Sequence, residues 1–471
     1  MSVFQRQLIK GSAANILGML LGVVNNFWLL PLVLSLDELG VYRWIERTSV
    51  LIASIVLFGL HRTYVRYQSK FSPAVASQFL SNVVVIIALI AAISGVLITV
   101  YADLVARLFD VESTDELAVL GVLVAGSIVY TLGLSISSSA KRITIPYFVK
   151  NVGVRIVLMV GAVALWGSWM HFPSWMQLFA WTNLVVGVAV LAYSVKIKGL
   201  PLVAPRSMKM GLTRELAIFS GSSIMMTVMT MSLTTIDSQM VASLLSYEAL
   251  GVYGLAFFLG SFVDGIRRPV SQLLSPQFAV HWNDSNIAAI GALYSRTSRI
   301  LMAISLVAFL TIVPNIDFIF SLIHDAERFE AAKTVVTLIL ISRIVDFSFG
   351  SNGEILSNGP YFKWTLVAIS ILVIALIGLN SLLIPQMGLD GAGYSLIIAY
   401  TVFNVVKAWF LYNKEGIQPF SMDQFYMLGL AAVTFILSVQ FAGDSVVDLL
   451  FRNLIIVIGL GSGFFAFRKK F

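Results

Sequence analysis

Fourteen apolar runs, each about as long as the roughly 30 Å hydrocarbon core of a bilayer requires, take up almost all of this 471-residue chain. They fall near Gly11 to Leu34, Trp44 to Tyr64, Ser77 to Tyr101, Leu117 to Ala140, Ile145 to Trp166 and Trp175 to Val195. The rest lie near Leu216 to Leu245, Val252 to Phe278, Ser298 to Phe320, Ala331 to Leu356, Tyr361 to Ile384, Ala392 to Leu411, Phe425 to Phe441 and Val446 to Phe467. Hydrophobic residues make up 58% of the chain and charged residues 12%, so no stretch remains from which a water-soluble core can close. The expected fold is an all-α polytopic membrane protein. Cytosolic enzymes, nucleic-acid binders and receptors with large ectodomains are excluded. The first run is too long for a signal-peptide core and reads as a retained span.

The net charge of +7 has a membrane explanation. If the amino terminus starts inside, most Lys and Arg fall on alternate loops facing the cytoplasm, among them Arg6 and Lys10, Arg62 and Arg66, Lys150, Lys198, Arg267, Lys363, Lys407 and the tail from Arg468. The opposite side keeps only Arg43, Arg47, Arg107, Arg328, Lys333 and Arg452, with acids such as Asp110 and Glu112. Both termini are expected in the cytoplasm. There is no Cys, and His61, His171, His281 and His324 lack metal-ligand spacing, so neither a metal site nor a cofactor is expected.

The chain also resembles itself. Leu34 to Tyr42 recurs 211 positions later as Leu245 to Tyr253, sharing Leu-Gly-Val-Tyr. Pro146-Tyr147-Phe148 recurs as Pro360-Tyr361-Phe362. Each match holds the same place in its half, and six spans per half keep both halves in one orientation. This predicts parallel repeats around a central cleft: a six-helix bundle over 1–200, a second over 201–415 and an additional helix pair over 416–471.

Charged residues inside spans mark candidate sites, because such a charge at mid-depth costs roughly 2.5 to 3.5 kcal/mol on insertion scales. Arg155 and Arg343 lie about ten residues into spans five and ten. Asp346, one turn from Arg343, offers either an ion pair within its own helix or an ion-coupling carboxylate. Arg155 has no acid within four residues, so its partner belongs to another helix or to a ligand. Asp237 sits in the polar patch Thr234 to Gln239 and reads as a cleft acid for a proton or Na⁺, or as a helix contact. Arg267 and Arg268 suit a phosphate clamp or the positive-inside pattern. Arg47, beside Trp44 and Glu46, mixes charge with an aromatic at the outer end of span two and is a candidate substrate contact. Arg62 lies in His61 to Tyr67, where cations alternate with aromatics in a way that suits a lipid-linked sugar phosphate or anionic lipid headgroups. Trp44 itself reads as an interfacial residue. Gly350, Gly353 and Gly359 predict a weak helix in span ten. No phosphate loop, His-Glu-x-x-His or nucleophile elbow occurs, and the loops are too short for a catalytic domain, so no enzyme is expected.

With the repeated Leu-Gly-Val-Tyr, Phe58-Gly59-Leu60 before Arg62 and Arg66, Asp237 ahead of Gly251-Val252-Tyr253, Pro269 to Pro276 and Gly388 to Gly393, the chain resembles polysaccharide and oligosaccharide flippases of the multidrug/oligosaccharidyl-lipid/polysaccharide exporter superfamily. The resemblance implies a multi-pass protein of the bacterial cytoplasmic (inner) membrane. Its cargo would be a polyprenyl-pyrophosphate-linked glycan, an O-antigen, capsule or exopolysaccharide repeat unit, moved by alternating access. It further implies contact with membrane lipids, H⁺ or Na⁺ as coupling ion and glycan polymerase partners. Cation-coupled multidrug antiport and lipid II flipping stay open within the superfamily. Related lipid II flippases carry an Arg in span one, and Gly11 to Leu34 has none. A membrane glycan polymerase or ligase needs a long outer loop that is missing here.

Overall fold

Ser35 and Glu38 open the first long helix by capping each other. The Ser35 hydroxyl accepts from the Glu38 amide, and the Glu38 carboxylate accepts from the Ser35 amide at 2.9 Å. In the computed structural model, which describes residues 17–68, 71–101, 103–104, 114–140, 142–201, 203–204, 210–441 and 446–467, every regular element is helical. The chain divides into two compact units, Met1–Gly251 and Val252–Phe471.

The first unit contains α1 (Leu17–Val33), α2 (Leu36–Val56), α3 (Leu60–Tyr67), α4 (Pro73–Val100), α5 (Thr114–Ser139), α6 (Thr144–Trp166), α7 (Phe172–Lys198) and α8 (Met210–Leu244). α9 (Tyr247–Gly260) carries the chain into the second unit. α5 is the central helix, packed against α4, α7 and α2. It meets α7 at Gly126, Gly133 and Gly187, where an added β-carbon would lie 2.7 to 2.8 Å from the facing backbone. Small residues of this kind let membrane helices approach backbone to backbone. The outer face of α4 leaves Ile93, Val96 and Val100 exposed, as a lipid-facing helix should.

The capping box starts α2 eight residues before the predicted span, which places Arg43, Trp44, Glu46 and Arg47 inside the helix. Trp44 is therefore not an interfacial residue: it is buried, edge-on to Tyr247. α2 and α3 bend by 55° across Phe58 and Gly59, both at positive φ. Two stretches of α1 and α6, Val24–Leu29 and Val149–Gly153, are π-helical. Up to Gly251 the repeated segments cross at their glycines. A β-carbon on Gly40 would fall 1.8 Å from the Tyr247 carbonyl oxygen, and one on Gly251 would fall 2.3 Å from that of Leu36. The offset of 211 residues between the two sequences also relates these two contacts.

The second unit holds α10 (Asp264–Asn283), α11 (Ile287–Ile312), α12 (Ile316–Ser321), α13 (Glu330–Ser348), α14 (Asn352–Asn358), α15 (Phe362–Met387), α16 (Leu389–Glu415), α17 (Met422–Val439) and α18 (Val446–Phe467). α13 packs between α11 and α16, and α17 and α18 pack together and on α11. The predicted single span from Val252 to Phe278 is broken into α9 and α10. Ala326–Ser348 and α14 meet at 49°, about Gly350 at φ +61°. That bend is tied down. The Ser348 carbonyl, freed from the helix, accepts from the Ser298 hydroxyl and from Gln424 Nε2 at 3.0 Å. Gln424 thus joins the carboxy-terminal helix pair to the bend.

Among the described residues, eight helices are long and apolar enough to cross a membrane, ten when the two bent pairs each count as one.

Candidate functional site

Among the described residues, two charge clusters stand out within the helices, one in each unit.

In the second unit the charges pair off. Arg343 Nε lies 3.3 Å from Asp264 Oδ2, and Arg267 pairs with Asp346. Arg343 and Asp346, one turn apart on α13, thus find their ion-pair partners on α10. The guanidinium of Arg343 also lies 5.1 Å from the centre of the Tyr400 ring. Asn404 Nδ2 donates to Asp346 Oδ1 at 2.8 Å, Asn352 Nδ2 donates to Asn404 Oδ1 at 3.0 Å, and Lys407 Nζ donates to Asn352 Oδ1 at 2.7 Å. Glu354 adds a third carboxylate in the field of Arg267 and Lys407. Three cations face three carboxylates, the arrangement that makes charge tolerable in a low dielectric. Lys407, counted above among the loop cations, is 3% exposed and belongs to this network. Its register on α16, one turn after Asn404, is the only sequence signal of that role.

In the first unit, among the described residues, several cations gather about Glu46. α2 supplies Tyr42, Arg43, Glu46 and Arg47, with Tyr42 and Glu46 one turn apart, and α6 supplies Lys150 and Arg155. Glu46 is the carboxylate whose field reaches Arg43, Lys150 and Arg155 alike. Lys150 donates to Asn183 Oδ1, whose amide is in turn held by the Phe179 carbonyl at 2.8 Å, and lies 5.3 Å from the Tyr130 ring centre. Arg43 is 4% exposed, and its Nε and Nη2 have no hydrogen-bond partner among the described residues. Arg155 forms no ion pair with a described residue. Among the described residues, Glu46 is the carboxylate that Arg43, Lys150 and Arg155 share. Sequence reading singled out Arg155 and Arg47 here, but it placed Lys150 in a cytoplasmic loop and gave Glu46 and Arg43 no role. Tyr42, Glu46 and Lys150 come together only through the packing of helices about a hundred residues apart in the chain.

The remaining predicted residues are dispersed. Arg62 lies on α3, beyond the bend, half-buried. α3 itself is fastened to α8 by Tyr67, which donates to Glu215 at 3.0 Å, and by Arg66 over the Phe219 ring. Asp237 is buried on α8, two residues from Gln239, whose Nε2 donates to Thr48 of α2 at 2.9 Å. Arg268 lies in α10, but its side chain falls outside the described residues. Among the described residues, no group of His, Asp and Glu is placed to hold a metal ion.

No protein-family model matches the sequence, and neither does any curated protein. Solved structures do. A structure titled lipid II flippase MurJ, inward closed conformation, aligns over 98% of this chain and 99% of its own, with a TM-score of 0.75 at 14% identity. An inward-facing multidrug resistance MATE family transporter of the MOP superfamily aligns over 86% of this chain and 94% of its own, with a TM-score of 0.65 at 11% identity. An outward-facing structure of such a transporter gives 0.56 at 15% identity, over 88% and 96%. The chain has the all-α polytopic fold shared by the MurJ flippase and the MATE transporters of the MOP superfamily.

Proposed function

We propose that this chain is a transporter, not an enzyme, that flips a polyprenyl-pyrophosphate-linked oligosaccharide across the bacterial inner membrane by alternating access. The cargo is an O-antigen, capsule or exopolysaccharide repeat unit, and both termini are cytoplasmic. One observation carries the reading: among the described residues, Arg43, Lys150 and Arg155 gather about the single carboxylate of Glu46. Arg155 stands about 16 Å along α6, near the middle of a roughly 30 Å hydrocarbon layer. A surplus of positive charge there is stable only when an anion joins it. A pyrophosphate supplies that anion while its polyprenyl tail stays in lipid. Arg343 and Arg267, already paired with carboxylates, take part only by exchanging partners, so Arg155 is the leading headgroup contact. Arg47, Arg62 and Arg268 are further candidates along the glycan path.

The test is flipping of a fluorescent undecaprenyl-pyrophosphate-linked glycan in proteoliposomes. Arg155→Ala is expected to abolish it, and Arg155→Lys to restore it partly, because a point charge replaces a planar fork. Full flipping by folded Arg155→Ala protein sinks the assignment. For energy coupling Asp237 and Asp346 are the candidates, as carboxylates buried within helices; Asp346 couples only by letting go of Arg267 and Asn404. Asp237→Asn should retain binding and lose the response to a H⁺ or Na⁺ gradient, and gradient-independent flipping by the wild type would rule coupling out.

A second reading, flipping of lipid II, is favoured by the likeness to the MurJ structure. It shares the pyrophosphate chemistry, and the two cargoes offered side by side in the same assay separate the readings.

A further inference from the structure

α1 approaches α6 through two glycines. Gly18 and Gly22, one turn apart on α1 and both buried, face Asn151 and Arg155, one turn apart on α6. A β-carbon on Gly18 would sit 2.8 Å from Asn151 Cβ and 3.0 Å from the Asn151 carbonyl oxygen. The three atoms nearest a β-carbon on Gly22 all belong to the end of the Arg155 side chain: Nη1 at 2.6 Å, Cζ at 2.8 Å and Nη2 at 3.2 Å. Three guanidinium atoms at nearly one distance mean that the group turns its flat face to the Gly22 backbone. The Gly22 carbonyl, at the edge of the π-helical stretch of α1, is held by Asn26 Nδ2 at 2.8 Å. On α6 the π-helical stretch ends two residues before Arg155. Irregular turns of this kind are frequent at functional positions because they re-aim the side chains that follow.

We propose that Gly22 is a positioning residue: its missing side chain forms a seat that sets the depth and direction of the Arg155 guanidinium, and through it the contact with the pyrophosphate. The second half of this statement rests on the function proposed above. A long, flexible arginine on a membrane helix can reach in several directions, and a planar donor array discriminates only when its plane is fixed. The two glycines divide the work. A methyl group on Gly18 presses on backbone and on Cβ, so the helices must part. On Gly22 it presses on the tip of one side chain, which swings away while the helices stay in place. Gly22→Ala therefore misdirects Arg155 and leaves the fold intact.

A double-mutant cycle with purified full-length protein tests this, with undecaprenyl pyrophosphate as the binding probe. A second readout is the rate at which phenylglyoxal modifies Arg155, followed by mass spectrometry. With Arg155 present, Gly22→Ala is expected to weaken probe binding about tenfold, the scale of one charge-assisted hydrogen bond. It should also change the modification rate several-fold, with the melting temperature unchanged. In an Arg155→Ala background Gly22→Ala should have no effect on binding. Gly18→Ala should lower the melting temperature in both backgrounds. Equal binding losses from Gly22→Ala in the two backgrounds, or wild-type values of both readouts, would overturn the proposal. If Arg155→Ala binds the probe normally while Gly22→Ala still changes the phenylglyoxal rate, the headgroup assignment falls, and with it the positioning role for pyrophosphate, but the seat stands.

Discussion

Lys407 shows how one residue can satisfy two opposite readings. In sequence it follows an apolar run and resembles a lysine that snorkels to the inner surface. In the structure its ammonium stays inside, bonded to Asn352 and 3.5 Å from the centre of the Phe403 ring. Nothing in a hydropathy profile separates these outcomes, because what decides them is an asparagine 55 positions away. The same limit hid Glu46 and Lys150, whereas Arg155, Arg343 and Asp346 were legible because each interrupts a long apolar run. The paired network makes a specific expectation. Asp346→Asn takes from Arg267 its paired carboxylate and should destabilise the protein by about 3 kcal/mol, the scale for breaking one side of a buried pair. Arg267→Met with Asp346→Leu removes both charges and should regain most of that loss. Unfolding in detergent, followed by tryptophan fluorescence, measures both. A double variant no more stable than Asp346→Asn would mean that the pair does not act as a unit.

At the scale of helices, the order of elements and most of their limits were readable, since long apolar runs have few alternatives in a membrane. The breaks were less so. Span ten carried a signal in Gly350, but the 55° bend at Gly59 and the break between α9 and α10 lie among apolar residues such as Phe58, Phe262 and Val263. There a hydropathy average stays high while the backbone turns. Glycine contacts were readable only where the repeat drew attention to them. Gly40→Ala and Gly251→Ala each place a methyl group against a carbonyl oxygen on a crossing helix, and each should cost about 3 kcal/mol as the helices are forced apart. Gly378, inside α15, has nothing within 4 Å of an added β-carbon. Gly378→Ala should be neutral or raise stability by up to about 1 kcal/mol through helix propensity. Melting temperatures of the three variants compare the two cases directly. Equal shifts at Gly40 and Gly378 would mean that the Gly40 crossing is looser than the structure has it.

For the whole molecule the open quantity is topology, and one contact within the first unit constrains it. Gly18 faces Asn151 and Gly22 faces Arg155, and Leu30–Val33 then packs against Val154–Trp166. Contacts that advance together along both chains mean that α1 and α6 run parallel. They therefore enter the membrane from the same side, which requires an odd number of crossings between them. α4 and α5 give two, so the bent pair α2–α3 must supply the third: despite its 55° bend it crosses the membrane instead of turning back. The side on which the chain starts is the proposed one, amino terminus in the cytoplasm, for which the distribution of Lys and Arg is the argument. Reporter fusions after Ser72, Asp110 and Lys198 test each step. The first and third should report inside and the second outside. A reporter found outside after Ser72 and inside after Asp110 would make α2–α3 a re-entrant segment. Asp110 and Lys198 on the same side would show that α5, α6 and α7 do not make three crossings.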